Sequence, residues 1–234
     1  MAAPIQHASN VGASGPITVT LSATGANNTL LVYVGEYSSS AQYTVSSVTL
    51  GSTGDTITKA EASNGGAGGC DGEIWFDKGA SSGQTSLTVN FATGSGTIQM
   101  FLVAVEEWAG LWGPVDKVNG ASSTASSFSS GSTGTLSQSL ELAAGLVMSA
   151  PSTPTYTGPS SPWTNQSPVI TSSGTSHASL QTGYQQTAAT TALTYSGTIN
   201  TTNAVASVIA TFTPFRVFTK NVLANQAVQR AAVW

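Results

Sequence analysis

The sequence predicts an all-β protein: an antiparallel β-sandwich built from two diverged copies of one unit, followed by a C-terminal tail of different character. Three observations predict it. The stretch from Asp71 to Trp108 holds three apolar runs separated by two Gly/Ser/Ala-rich turns, and apolar and polar residues alternate along them with period 2, the pattern of strands. A shift of 106 positions carries this stretch onto a second one, so that Ile74 falls on Leu180, Leu87 on Leu193, Val89 on Tyr195, Ile98 on Ala204, Leu102 on Val208 and Val103 on Ile209. After Pro214 the Ser/Thr texture stops at once and a basic, apolar segment begins.

Taken in order, residues 1–14 read as an extended arm or disordered lead. Ile17, Val19 and Leu21 alternate with threonines, an antiparallel strand. Leu30 to Tyr37 is apolar on both faces, which places it centrally in a sheet covered on both sides. Val45, Val48, Leu50 and Ile57 mark shorter strands, and Glu61 to Gly72 reads as a long Gly-rich contact loop. The meander follows; Ile74 and Phe76, then Leu87 and Val89, then Leu102 point to a core. Val115 to Phe128 has too few apolar residues for a core and reads as the connector between copies. Leu146 to Ala150 repeats the central strand of the first copy; Asn28–Val32 matches Ala144–Met148 with a slightly larger shift. The prolines from Pro151 to Pro168 mark loop or edge, since proline removes a ladder donor. Leu180, Leu193 and Val208 complete the expected core. The division is thus an arm at 1–14, a sandwich at 15–213 with copies at about 15–108 and 131–213, and a tail at 214–234.

The chain has 234 residues, of which 7% are charged, against about 25% in ordinary globular proteins, so Ser, Thr, Gly, Asn and Gln must form the surface. With 40% hydrophobic residues and clear periodicity the composition is that of a folded chain. All ten acids lie between Glu36 and Glu141, and three of the six Lys/Arg lie in residues 216–234. Residues 1–215 therefore hold three cations against ten acids, a charge of −7, and the last 19 residues carry +3. An acidic body argues against nucleic acid as a partner. Cys70 is the only cysteine, which rules out an internal disulfide or a cysteine metal site and reads as a free, unreactive thiol. The longest apolar run, Met100 to Val105, is six residues, far short of the ~18–20 of a membrane-spanning helix. The N-terminus has the features of no export signal, so the expectation is synthesis in a cytoplasm, with no membrane partner.

Catalytic and cofactor chemistry finds little footing. The two histidines, His7 and His177, have no acid–nucleophile frame around them, and no Gly-x-Ser-x-Gly elbow, phosphate loop, dinucleotide fingerprint or zinc spacing occurs. Glu106 and Glu107 are adjacent on a strand and must face opposite ways, one of them near solvent at the strand end. Asp71, Glu73 and Asp77 share a face with Trp75; a solvated polar face is the default reading, with a Ca²⁺ site at Asp71 and Glu73 as its competitor. We therefore expect no catalytic residue, no metal and no cofactor. Trp75, Trp108, Trp112, Trp163 and Trp234 are candidate platforms for sugar rings, and Trp75, exposed by its alternation with acids, is the strongest glycan contact among them; packing at sandwich edges is the alternative. In the tail, Leu223, Ala227, Ala231 and Trp234 form one helical stripe, and a lone helix of this length needs a surface to lie on. Phe215, Arg216, Phe218, Lys220, Leu223, Arg230 and Trp234 are its candidate partner-binding residues.

The succession NNTLLVYVGEY, VSSVTLGSTGDTITKA, GEIWFDKGASSGQTSLTVNF and MFLVAVEEWAGL, over about residues 28–111 with its echo to 213, resembles a β-sandwich domain found in phage virion proteins and in bacterial extracellular proteins. The resemblance lies in strands and turns. It implies a jelly-roll-like sandwich used for display, adhesion or assembly. The expectation that follows is a non-enzymatic structural protein of a virus (phage) particle: a capsid decoration (cement) or surface protein, made in the host cytoplasm and held on the virion surface by its tail. Its expected partners are other capsid chains and further copies of itself. The alternative is a bacterial extracellular adhesin or carbohydrate-binding module.

Overall fold

The computed structural model describes residues 3–40, 44–66, 69–92, 99–110, 112–173 and 175–214. Fifteen strands run through them: β1 (Gln6–Gly12), β2 (Ile17–Thr20), β3 (Asn28–Ser38), β4 (Val45–Leu50), β5 (Thr58–Asn64), β6 (Cys70–Ala80), β7 (Ser86–Phe91), β8 (Gln99–Trp108), β9 (Trp112–Ser129), β10 (Leu142–Ala150), β11 (Tyr156–Thr157), β12 (Thr164–Asn165), β13 (Val169–Ser173), β14 (Ser176–Gln186) and β15 (Ser196–Pro214). Every pairing is antiparallel. Among the described residues there is no helix long and apolar enough to cross a membrane.

The strands form three sheets. One has five strands in the order β1-β8-β3-β6-β5, and a three-stranded sheet, β2-β7-β4, covers one of its faces. The third has seven strands, β11-β15-β10-β14-β12, with β9 also on β15 and β13 also on β14. The strands that were expected to be central are central. β3 lies between β8 and β6, and β10 lies between β15 and β14. Both are buried along nearly their whole length, as strands apolar on both faces must be.

Side-chain alternation divides the apolar residues among three cores. Leu31, Tyr33, Ile74, Leu102 and Trp108 from the five-stranded sheet meet Leu146, Met148, Leu180, Val208 and Phe212 from the seven-stranded sheet. The opposite face of the five-stranded sheet, with Leu30, Val32, Val103 and Val105, packs on Ile17, Val19, Val48, Leu87 and Val89 of the three-stranded sheet. On the opposite face of the seven-stranded sheet, Val147, Val205 and Ile209 cluster with Tyr195 and with Phe128 and Ile199 from the ends of β9 and β15. The two halves share one strand plan. β8-β3-β6 in the first corresponds to β15-β10-β14 in the second. The residue pairs matched by the 106-position shift fall on corresponding faces: Ile74 with Leu180 and Leu102 with Val208 in the central core, Leu87 with Leu193 and Val103 with Ile209 in the outer ones. The copies thus bury their equivalent sheets against each other. The approach is close enough that a Cβ added at Gly72 would lie 2.7 Å from the Leu146 side chain.

Four local expectations need correction. Phe76 and Leu193 are only half-buried, because each lies toward the margin of its core. Val115–Phe128 is no connector but most of β9, an edge strand held by main-chain bonds to β15 and packed on β5, where the Ser122 hydroxyl donates to the Asn64 carbonyl at 2.9 Å. The Gly-rich loop is shorter than its composition implies, since β5 extends to Asn64 and β6 begins at Cys70. Residues 6–12, expected in the N-terminal arm, pair with β8 as β1.

Candidate functional site

Seven of the ten carboxylates in the sequence are buried: Glu36, Asp71, Glu73, Asp77, Glu106, Glu107 and Glu141. This overturns the expectation of a solvated acidic face. A buried carboxylate must collect donors or take up a proton, and each of these does one or the other.

Glu106 and Glu107 do face opposite ways, but neither reaches solvent. Glu107 accepts from the side-chain amide of Gln6 at 2.5 Å, the backbone N–H of Gly25 at 2.7 Å and the side-chain amide of Asn28 at 2.6 Å. It ties β1 and the turn before β3 to the end of β8. Hydrogen bonds to a charged group contribute a net of about 1.5–3 kcal/mol each, and bonds sharing one carboxylate do not add in full. Glu107→Ala should therefore destabilise the body by roughly 3 kcal/mol, and Glu107→Gln by about half as much, as read from urea unfolding.

Glu106 lies in the central core. It accepts from the Tyr33 hydroxyl at 2.9 Å, the Trp108 indole N–H at 3.2 Å and the Gln166 amide at 3.1 Å. Tyr184 meets the Trp108 ring edge-on at 4.8 Å, so both copies contribute to this polar knot. Burial raises the Glu106 carboxyl to about 6, against the opposing effect of its three donors. The folded state therefore holds the Glu106 proton in the window between about pH 4.5 and 6 where the unfolded chain has lost it. This contribution to stability is present below the window and is lost as pH rises through it, leaving a cost of roughly 2 kcal/mol above pH 6. His7, opposite Glu106 in the ladder, has the contrary dependence: burial lowers its pKa, so its contribution is lost as pH falls. Glu106→Gln should stabilise the protein by up to about 2 kcal/mol at pH 8 and by almost nothing at pH 4.5, measured by thermal melts across that range.

On β6, Asp71, Glu73, Trp75 and Asp77 share one face as expected, beneath the first copy's outer layer. Glu73 accepts from the Trp75 indole N–H at 2.6 Å and pairs with Lys59 at 3.1 Å. The Lys59 ammonium also sits 5.2 Å from the centre of the Trp75 ring, and Trp75 packs on the core that holds Val32. The ring expected to be the best sugar platform is thus half-buried, with a cation over it. Asp71 accepts from the Gly65 N–H at 2.7 Å, and its carboxyl is pushed up by burial while it shares a hydrogen bond with Glu36. Among the described residues no three His, Cys, Asp or Glu side chains are gathered closely enough to hold a metal ion. The Cys70 thiol is buried, donates to the Ala204 carbonyl at 3.1 Å and is pushed up by burial, so it is held as an unreactive thiol.

A second tryptophan stands differently. Trp163 is half-exposed, beside a groove of about 510 Å³ in the outer layer of the second copy. The proline-rich stretch that reads as loop or edge therefore carries a shaped surface. A tryptophan between Pro162 and Thr164, matched by the copy shift to the core residue Ile57, is the signal that points to it.

The partner-binding residues expected in the tail, Phe215, Arg216, Phe218, Lys220, Leu223, Arg230 and Trp234, lie outside the described residues. Pro214, from which they continue, is the last residue of β15 and pairs with Trp112. Comparison of the chain with protein-family models, curated proteins and solved structures finds no match.

Proposed function

We propose that this chain is a non-enzymatic structural protein of a virus (phage) particle, a capsid decoration (cement) or surface protein attached through residues 214–234. One observation carries the reading. Three of the six cations lie beyond Pro214 with no acid among them, while seven of the ten carboxylates of the body are buried. A tail that folded back on its own body would meet few open carboxylates; Glu106 and Glu107, for example, are fully engaged inside. A second copy of the chain presents the same depleted surface, so self-association loses its electrostatic support. An acidic surface on a different chain suits the tail better, and its aromatic and aliphatic side chains would supply the affinity while the cations set encounter and register. In this reading the protein is made in the host cytoplasm and held on the virion surface. Mass spectrometry of purified particles tests it. The chain should be present at a fixed ratio to the major capsid chain, and its absence from washed particles would count against the reading.

The second reading, an extracellular adhesin or carbohydrate-binding module, is favoured by the groove beside Trp163.

A further inference from the structure

We infer that the groove beside Trp163 is a binding site for a neutral glycan. The inference goes beyond attachment to a particle and does not rest on it.

The groove is built by the backbone. β12 pairs with β14 through Thr164 and Tyr184, and continuing that register by one residue sets Trp163 beside Gln185. The indole is propped from below: it meets the ring of Tyr195 edge-on at 4.9 Å and 76°, and Tyr195 is fully buried. Tyr195 in turn occupies space that Gly145 leaves open, since a side chain at 145 would collide with its ring. The Asn165 amide donates to the Pro159 carbonyl at 2.9 Å and fixes the turn that carries Ser160. Trp163 is therefore held in one orientation with part of its ring facing the groove. A rigid, half-exposed indole suits a pyranose ring, whose C–H face is apolar while its rim is polar.

The polar lining matches such a ligand. Around Trp163 stand Gln185, Thr191, Thr194, Ser160 and Ser196. Each offers both a donor and an acceptor, as sugar hydroxyls do. Gln185 is the informative one. It is only 2% exposed and lines the groove. An amide held in place at the groove's wall offers a ligand both halves of a hydrogen-bond pair. Among the described residues no charged side chain lines the groove, so an ionic ligand would lose its water without gaining a counter-charge there. A cavity of about 510 Å³ is within the usual range of small-ligand sites, about 300–1,000 Å³. These features together select an uncharged saccharide over an anion or a charged peptide.

The test uses the full chain in affinity electrophoresis through gels that contain soluble neutral polysaccharides (a glucan, a mannan and a galactan), with a sulfated polysaccharide as the charged comparison. At least one neutral polysaccharide should retard the protein, and any retention by the sulfated one should be unchanged by substitutions in the groove. Trp163→Ala should weaken retention at least tenfold. Because Trp163 also covers Tyr195, a second variant guards against a folding defect. Ala192 is exposed and lines the same groove, so Ala192→Arg should block the site while leaving the melting temperature unchanged. Retardation by none of the neutral polysaccharides, or undiminished retention of the Ala192→Arg variant in the neutral gel that retards the parent chain, would each overturn the inference. A chain that binds glycan yet is missing from particles would leave this site standing and remove the attachment reading, so the two fail separately.

Discussion

Trp108→Ala should destabilise the protein by roughly 3–5 kcal/mol, the range for a fully buried tryptophan cut to alanine. The residue is 1% exposed at the end of β8. Its ring is shared by the two copies, since it meets Tyr184 of β14 edge-on, and its N–H is one of three donors to buried Glu106. Removing it opens a cavity in the central core and leaves the Glu106 carboxylate with two of its three donors, and both effects destabilise. Trp108→Phe keeps much of the volume and should cost about half as much. The form of the unfolding curve carries as much information as its midpoint. If the copies share the central core, both should unfold in one transition that shifts as a whole. Two separable transitions, with only the first copy affected, would show that the copies fold as independent bodies.

Deleting residues 215–234 should have the opposite profile. All fifteen strands among the described residues end at or before Pro214, so unfolding of the truncated chain should match the full one within about 0.5 kcal/mol. Attachment should be lost. Each large apolar anchor buried against a partner contributes roughly 1.5–3 kcal/mol, and Phe215, Phe218, Leu223 and Trp234 supply four of them; even after the cost of ordering the segment, their removal should weaken binding by more than a hundredfold. Charge substitutions at Arg216, Lys220 and Arg230 should have a smaller effect, chiefly on association rate and salt dependence.

The strands and their faces were legible because period-2 alternation is imposed by burial on one side. Ile74 and Leu180 are 106 positions apart and still fall on corresponding faces of one core. The strand β9 was illegible for the same reason: as an edge strand held mainly by its main chain, it needs no apolar alternation, and Ser122, Ser123 and Thr124 can stand there exposed. The buried carboxylates were illegible because their partners are remote. Nothing near Glu107 in the chain announces that Gln6 and Asn28 will come to it, although two glutamates that close an apolar strand in a chain with 7% charged residues are a hint in hindsight. Alternation placed Trp75 and its acids on one face correctly, but it could not foresee that Lys59 and the outer layer would cover that face. At Trp163 the prolines pointed to loop, which is right for the backbone and silent about the groove.

The most direct test of attachment through the tail is a competition in one tube. Particles from a genome in which this gene is deleted are mixed with equal amounts of the full chain and the chain ending at Pro214, each carrying a different label, and are then pelleted through a cushion. The account predicts the full chain in the pellet at saturable stoichiometry, with a dependence on salt that flattens when Arg216, Lys220 and Arg230 are replaced, and the truncated chain in the supernatant. Equal recovery of both chains in the pellet, or of neither, would contradict it.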